Sequence, residues 1–293
     1  MKKLLSLAIT ILLAFSLTAC IDTTGTDSDL TPSIGGNSDS LDTGTEVTLA
    51  ETVIFDQGNV KITVTGINNT GFFGPEIKLL IENNSTQNLT VQTKDSAVNG
   101  AMIDTIFSED VAAGKKANSA ITLMSSELDA SGIKTIKDIE FKIHLFDTDS
   151  FDDVTTSETV RLTTSADTAF VQTFDKSGEA IYDADGIKVV AKKMSSEDSF
   201  WGSELYLYIE NNTEKYVTLQ TKDVSVNGFM IDPIFSCDVL PGKVAFSSIT
   251  FLESDLTDNS ITDISELELK LHIFDAESWD TIKDTETIKI SFN

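Results

Sequence analysis

The sequence is poor in the side chains on which most catalysis and metal binding depend. Two histidines and two cysteines in 293 residues cannot build a disulfide framework, and they leave no Cys/His spacing of the kind that holds zinc. No glycine-rich phosphate loop and no nucleophile elbow occurs, so an enzyme is not expected. Positive charge is scarce: 21 Lys+Arg stand against 47 Asp+Glu, a formal net charge of -26. A surface that negative repels nucleic acid and anionic lipid headgroups, and neither is an expected partner. The apolar run from Leu4 to Leu17 is shorter than the roughly 20 residues a spanning helix requires. Apolar residues in general are not lacking, since 40% of the chain is hydrophobic, enough to bury a core.

That apolar run follows a short basic start, Met1-Lys2-Lys3, and ends in Leu17-Thr18-Ala19-Cys20. The tetrapeptide resembles the bacterial lipobox, which implies a lipoprotein signal peptide over 1–19 and a diacylglycerol thioether with palmitate-type acyl chains on Cys20. Each buried CH₂ adds about 0.8 kcal/mol, so two or more chains hold a protein on a membrane where one would not. Loss of Lys2 and Lys3 takes the formal charge from -26 to -28. The expected location is the extracellular face of the cytoplasmic membrane, with contact through lipid alone. Residues 21–48 contain no aromatic residue and no Lys or Arg. With Cys20 they read as a disordered, solvated tether (20–48), reaching roughly 30 Å r.m.s..

The remainder is one unit written twice. Ile81-Glu82-Asn83-Asn84 returns as Ile209-Glu210-Asn211-Asn212, Gln92-Thr93-Lys94-Asp95 as Gln220-Thr221-Lys222-Asp223, and Val98-Asn99-Gly100 as Val226-Asn227-Gly228. The offset of 128 holds without a gap from Ile81 to Thr164, with 39 of 84 pairs identical, too many for shared composition to explain. Two domains follow, 49–164 and 179–293, joined by a linker over 165–178.

Within each unit the apolar period is two. Val60-Ile62-Val64, Ile77-Leu79-Ile81 and Ile139-Phe141-Ile143-Leu145 each line one face, the pattern of half-buried strands. Asn99-Gly100 and Asn227-Gly228 mark type I′ hairpin turns. The stretches around Leu128 and Leu256 allow a single helical turn. The expected fold class is all-β, two tandem antiparallel immunoglobulin-like β-sandwiches after a signal peptide and tether. The string from Val98-Asn99-Gly100 through Gly114-Lys115-Lys116 and Ile139-Glu140-Phe141 to Phe146-Asp147 resembles a domain of Firmicutes cell-surface lipoproteins with telokin-like immunoglobulin-type sandwiches. The resemblance implies fold and location and brings no activity with it.

Four features are candidates for function. His144 and His272 are repeat equivalents, placed by alternation opposite the apolar face and so expected at the surface. Cys237 is matched by Glu109 in the first repeat and reads as a free thiol without a role. Asp147, Asp149, Asp152 and Glu158 recur as Asp275, Glu277, Asp280 and Glu286, partly tracing a calcium loop. Phe151 or Trp279 at the fifth position and Asp152 or Asp280 at the sixth, where glycine belongs, favour a solvated hairpin instead. Phe72 and Phe73 correspond to Phe200 and Trp201 in a glycine-flanked loop. Such rings either fold back to plug one end of a sandwich, the expectation here, or face a ligand such as a glycan. The functional expectation is a lipid-anchored, non-enzymatic binding or adhesion protein whose partner is an envelope glycan or protein; an accessory or inhibitor protein acting on an envelope enzyme is the alternative.

Overall fold

The computed structural model describes residues 46–195 and 202–292. Cys20, the signal peptide and nearly all of the tether lie outside the described residues, as do Phe200 and Trp201. The first repeat forms β1 (Thr52–Gln57), β2 (Val60–Asn68), β3 (Glu76–Asn83), β4 (Leu89–Val98), β5 (Ala101–Met102), β6 (Thr105–Ile106), β7 (Ser108–Val111), β8 (Lys115–Leu123), helix α1 (Ser125–Ala130), β9 (Asp138–Asp147), β10 (Asp153–Thr156) and β11 (Val160–Thr163). The second forms β12 (Glu179–Ala184), β13 (Ile187–Ser195), β14 (Gly202–Asn211), β15 (Val217–Val226), β16 (Phe229–Met230), β17 (Ser236–Val239), β18 (Val244–Leu252), helix α2 (Glu253–Asp258), β19 (Glu266–Asp275), β20 (Thr281–Asp284) and β21 (Ile288–Ser291).

In the first repeat β1-β2-β3-β8-β6 make one sheet and β10-β9-β4-β5 the other, with β11 also on β9 and β7 also on β4. In the second, β12-β13-β14-β18 and β16-β15-β19-β20 repeat the arrangement, with β21 on β19 and β17 on β15. Both units are immunoglobulin-like β-sandwiches. The three apolar triplets and quartets of the first repeat are all buried, each such side chain contributing about 1.5–3 kcal/mol. Asn99 and Gly100, and likewise Asn227 and Gly228, have positive φ, as the hairpin turns require. The asparagine does more than tolerate the turn. Asn99 Nδ2 donates to the Thr135 carbonyl at 2.6 Å, and its Oδ1 accepts the amides of Lys137 and Asp138 at 2.9 and 3.0 Å.

The Ile-Glu-Asn-Asn signature also has a structural cause. Asn83 is buried and its Nδ2 donates to the carbonyls of Gln87 and Val111, both at 2.8 Å. Asn211 does the same with Lys215 and Val239 at 2.8 Å. Each asparagine thus satisfies two backbone acceptors that the end of a strand would otherwise leave unpaired.

The repeats meet where the β4–β5 hairpin of the first reaches the start of β18. Ala101 and Val244 pair in parallel, and the Val244 amide donates to the Gly100 carbonyl at 3.0 Å. This joins one sheet of each repeat into a continuous ten-stranded sheet. Lys243 adds an ion pair with Glu140 at 2.9 Å. Val190, Tyr208 and Val244 of the second repeat belong to the apolar cluster of the first. The connector is held as well: Lys137 Nζ donates to the carbonyls of Thr168 and Phe170 at 2.8 Å, and Phe174 packs on Phe246 at 6.0 Å between ring centroids.

Candidate functional site

Beside this junction the two repeats enclose a cleft of about 1390 Å³. The first repeat contributes Asp95, Asp104 and Glu127, and the second Tyr206, Tyr216 and Phe246. Asp95 sits at a β4 bulge with positive φ, which turns its carboxylate to Lys142 at 2.8 Å. Burial, aided by the Asp238 and Asp95 carboxylates, pushes the Tyr216 phenol well up. Tyr206 donates to Glu204 at 2.9 Å and carries Lys193 Nζ 5.4 Å above its ring.

Asp104 reaches water within the concave wall, yet the protein packed around it raises its carboxyl, and the Asp238 carboxylate across the cleft raises it further. Glu127 is raised by burial first; against this, its Oε2 accepts the Asp104 amide at 2.5 Å. Two carboxyl groups with raised pKa values therefore line a cleft to which the second repeat adds the rings of Tyr206, Tyr216 and Phe246 among charged residues such as Lys192, Glu204 and Asp238. Aromatic faces beside carboxylates suit a polar, hydroxyl-bearing ligand, which can stack on one wall and hydrogen-bond to the other.

The cleft was not singled out by motif reading, and a signal for it exists. Tyr216, Phe246 and Cys237 stand where the first repeat has Asn88, Asn118 and Glu109, amid otherwise similar neighbours. Divergence at matched positions marks what only one repeat has to do. Cys237 itself is a buried free thiol, pushed up to about 12 chiefly by burial, so it is a poor nucleophile.

The surface expectation for His144 is corrected. It is 5% exposed: β10 lies beside β9 in the sheet with Thr156 opposite His144, and side chains of β10 close round the ring. Its Nδ1 lies 3.0 Å from Thr156 Oγ1 and its Nε2 3.1 Å from Asp153 Oδ1. Burial first, and then Lys94, lower its pKa against the opposing pull of Asp153. His272 is half-buried under β20, with Nδ1 2.6 Å from Asp284 Oδ1.

In the acidic loops the carboxylates of Asp147, Asp152, Asp275 and Asp280 are engaged by neighbouring groups of their own loop. Asp147 Oδ1 accepts the amides of Asp149 and Ser150, both at 3.0 Å, and Asp275 Oδ1 those of Glu277 and Ser278 at 3.0 and 3.2 Å. These backbone donors hold both carboxyls below the usual range. Asp152 and Asp280 accept Ser150 and Ser278 hydroxyls, while Asp149 accepts from Asn88. Glu158 and Glu286 lie beyond β10 and β20, exposed. Among the described residues no three His, Cys, Asp or Glu side chains are placed to hold a metal ion.

The plug expectation fails for Phe72 and Phe73, which are 91% and 58% exposed and meet edge to face at 4.8 Å. Their loop is pinned by its backbone: the Phe73 carbonyl accepts the Ser125 amide at 2.9 Å and hydroxyl at 2.8 Å. Gly74 has φ 141°, and a Cβ there would lie 1.9 Å from the Leu123 carbonyl. The glycine is needed for that close approach, and the buried side chains nearby in sequence are Leu123 and Leu128.

No protein-family model and no curated protein matches the sequence of this chain. Among solved structures, the YadV chaperone is similar at 10% identity and a TM-score of 0.23, over 74% of this chain and 92% of that one. A structure of the Salmonella enterica SafA pilin in complex with the SafB chaperone is similar at 10% identity and a TM-score of 0.21, over 74% and 89%. At that level of likeness they carry no functional inference.

Proposed function

We propose that the chain is a lipid-anchored, non-enzymatic binding protein of the bacterial cell envelope, carried on the extracellular face of the cytoplasmic membrane by acyl chains on Cys20. The Firmicutes lipoprotein resemblance and the Leu17-Thr18-Ala19-Cys20 string support the location. The observation that carries the binding role is the cleft, whose lining draws on both repeats and includes aromatic rings and carboxyl groups. Its ligand is an envelope glycan. The exposed rings of Phe72 and Phe73 offer a further stacking surface.

The test is co-sedimentation of the membrane-borne full chain, in vesicles, with purified cell-wall polysaccharide. Binding that falls at least about tenfold in Tyr206→Ala or Phe246→Ala, with the melting temperature of each variant monitored, supports the reading. Equal binding by folded variants, or none by the unaltered chain, refutes it. The charge of -26 favours one other reading, an accessory or inhibitory protein that meets a basic envelope enzyme. In that case the partner co-purifies and is released by salt.

A further inference from the structure

The junction between the repeats joins a donor element of the first to an acceptor element of the second, and each element exists twice. The donor is the β4–β5 turn, Asn99-Gly100-Ala101-Met102, with Glu140 beside it; the acceptor is the start of β18, Lys243-Val244. Repeat equivalence gives a second donor, Asn227-Gly228-Phe229-Met230 with Glu268, and a second acceptor, Lys115-Lys116 at the start of β8. Both are open among the described residues. Phe229 and Met230 are 48% and 68% exposed where Ala101 is fully buried. On its outer side β8 pairs only with β6, at Thr122 and Leu123.

We infer that the second donor docks on the first acceptor of another copy of this chain, so that copies associate head to tail. The proposal is independent of the cleft's ligand. The ion pair that spans the internal junction, Lys243 with Glu140, has both of its members preserved as Lys115 and Glu268. Lys115 is exposed and has no acidic partner among the described residues. Glu268 holds Lys289, just as Glu140 holds Arg161 as well as Lys243, so a second cation beside it has a template. Charge is complementary more widely: Glu266, Glu268 and Asp263 lie near the free donor, and the acceptor carries Lys115 beside Lys116, which is paired with Glu82. In the docked pair the Gly228 carbonyl would accept the Lys116 amide, as Gly100 accepts that of Val244. The ring of Phe229 would lie against the aliphatic stem of Lys116, an apolar contact. The two faces differ and sit on different repeats, so each copy offers one donor and one acceptor to its neighbours.

The test uses the full chain in its own membranes. Residues paired across a β-bridge have Cα atoms near 5 Å apart, within disulfide range, so Lys116→Cys and Phe229→Cys in one chain should give a ladder of cross-linked multimers under mild oxidation. The chain with Lys116→Cys alone, which keeps Cys20 and Cys237, should give no ladder. Adding Lys115→Glu should reduce cross-linking about tenfold, and adding Glu268→Lys to that chain should restore it. No ladder from the paired cysteines, an equal ladder from Lys116→Cys alone, or a ladder indifferent to Lys115→Glu would each overturn the proposal.

Discussion

Trp279 lies flat on Phe274, with 5.6 Å between ring centroids and 18° between planes, and holds a backbone φ of 63° to do so. Phe151 repeats the arrangement on Phe146, at 6.2 Å and 24°, with φ 61°. A bulky residue in the left-handed region costs about 1–2 kcal/mol, and both rings keep their outer faces in water, at 71% and 76% exposed. The ring beneath Trp279 is buried, so the stack offsets some of the backbone cost by covering it.

Trp279→Ala should therefore destabilise the second sandwich by about 1–2 kcal/mol, through loss of stacking with the backbone strain retained. Trp279→Gly loses the same ring and sheds the strain, and should be more stable than the alanine variant by about 0.5–1 kcal/mol. Urea unfolding of the three proteins measures the order; a glycine variant below the alanine variant would contradict it.

Asn83 and Asn211 are the next test. Each supplies two buried hydrogen bonds to backbone carbonyls, so replacement by alanine strands both acceptors. A cost of about 2–4 kcal/mol per site is expected, against less than about 0.5 kcal/mol for the adjacent exposed Asn84→Ala. Chemical denaturation of the three variants decides it.

The pH dependence should have two limbs. Asp104 and Glu127 have raised pKa values, so their ionisation disfavours the folded state and stability rises as they take up protons below neutral pH. Asp147, Asp275 and Asp284 have lowered values, the first two from backbone donors and the third chiefly from His272 and Lys222. Their stabilisation is full above their unfolded pKa, near 4, and is lost as pH falls through the lower folded value. A melting-temperature profile should thus climb as pH falls from neutral toward the ordinary carboxylate range and drop below about 4. In Asp104→Asn with Glu127→Gln the climb should flatten and the drop should remain.

Millimolar calcium should leave the melting temperature unchanged, since the first carboxylate of each acidic loop is already engaged by two amides. A rise of several degrees that Asp147→Asn with Asp275→Asn abolished would prove the loops to be ion sites.

The duplication, the strand faces and the hairpin turns were legible in the sequence, because each depends on local spacing: side chains alternate along a strand, and Asn-Gly suits positive φ at two successive residues. Alternation puts His144 opposite the apolar face but does not reveal its burial, because the neighbouring strand whose side chains enclose it, β10, is four residues long and shows no periodicity. Phe72 and Phe73 were misjudged for a related reason. Glycine beside aromatics announces an unusual backbone, but only the position of the Leu123 carbonyl decides that the backbone packs inward and the rings outward. The cleft and the Lys243–Glu140 ion pair join residues more than 100 positions apart. Their partners are selected by how one folded repeat rests on the other, and no period in the chain encodes that. The sequence by itself determined two sandwiches, an acidic surface and a lipoprotein-like start; only the tertiary structure decided which faces are shared and which remain free.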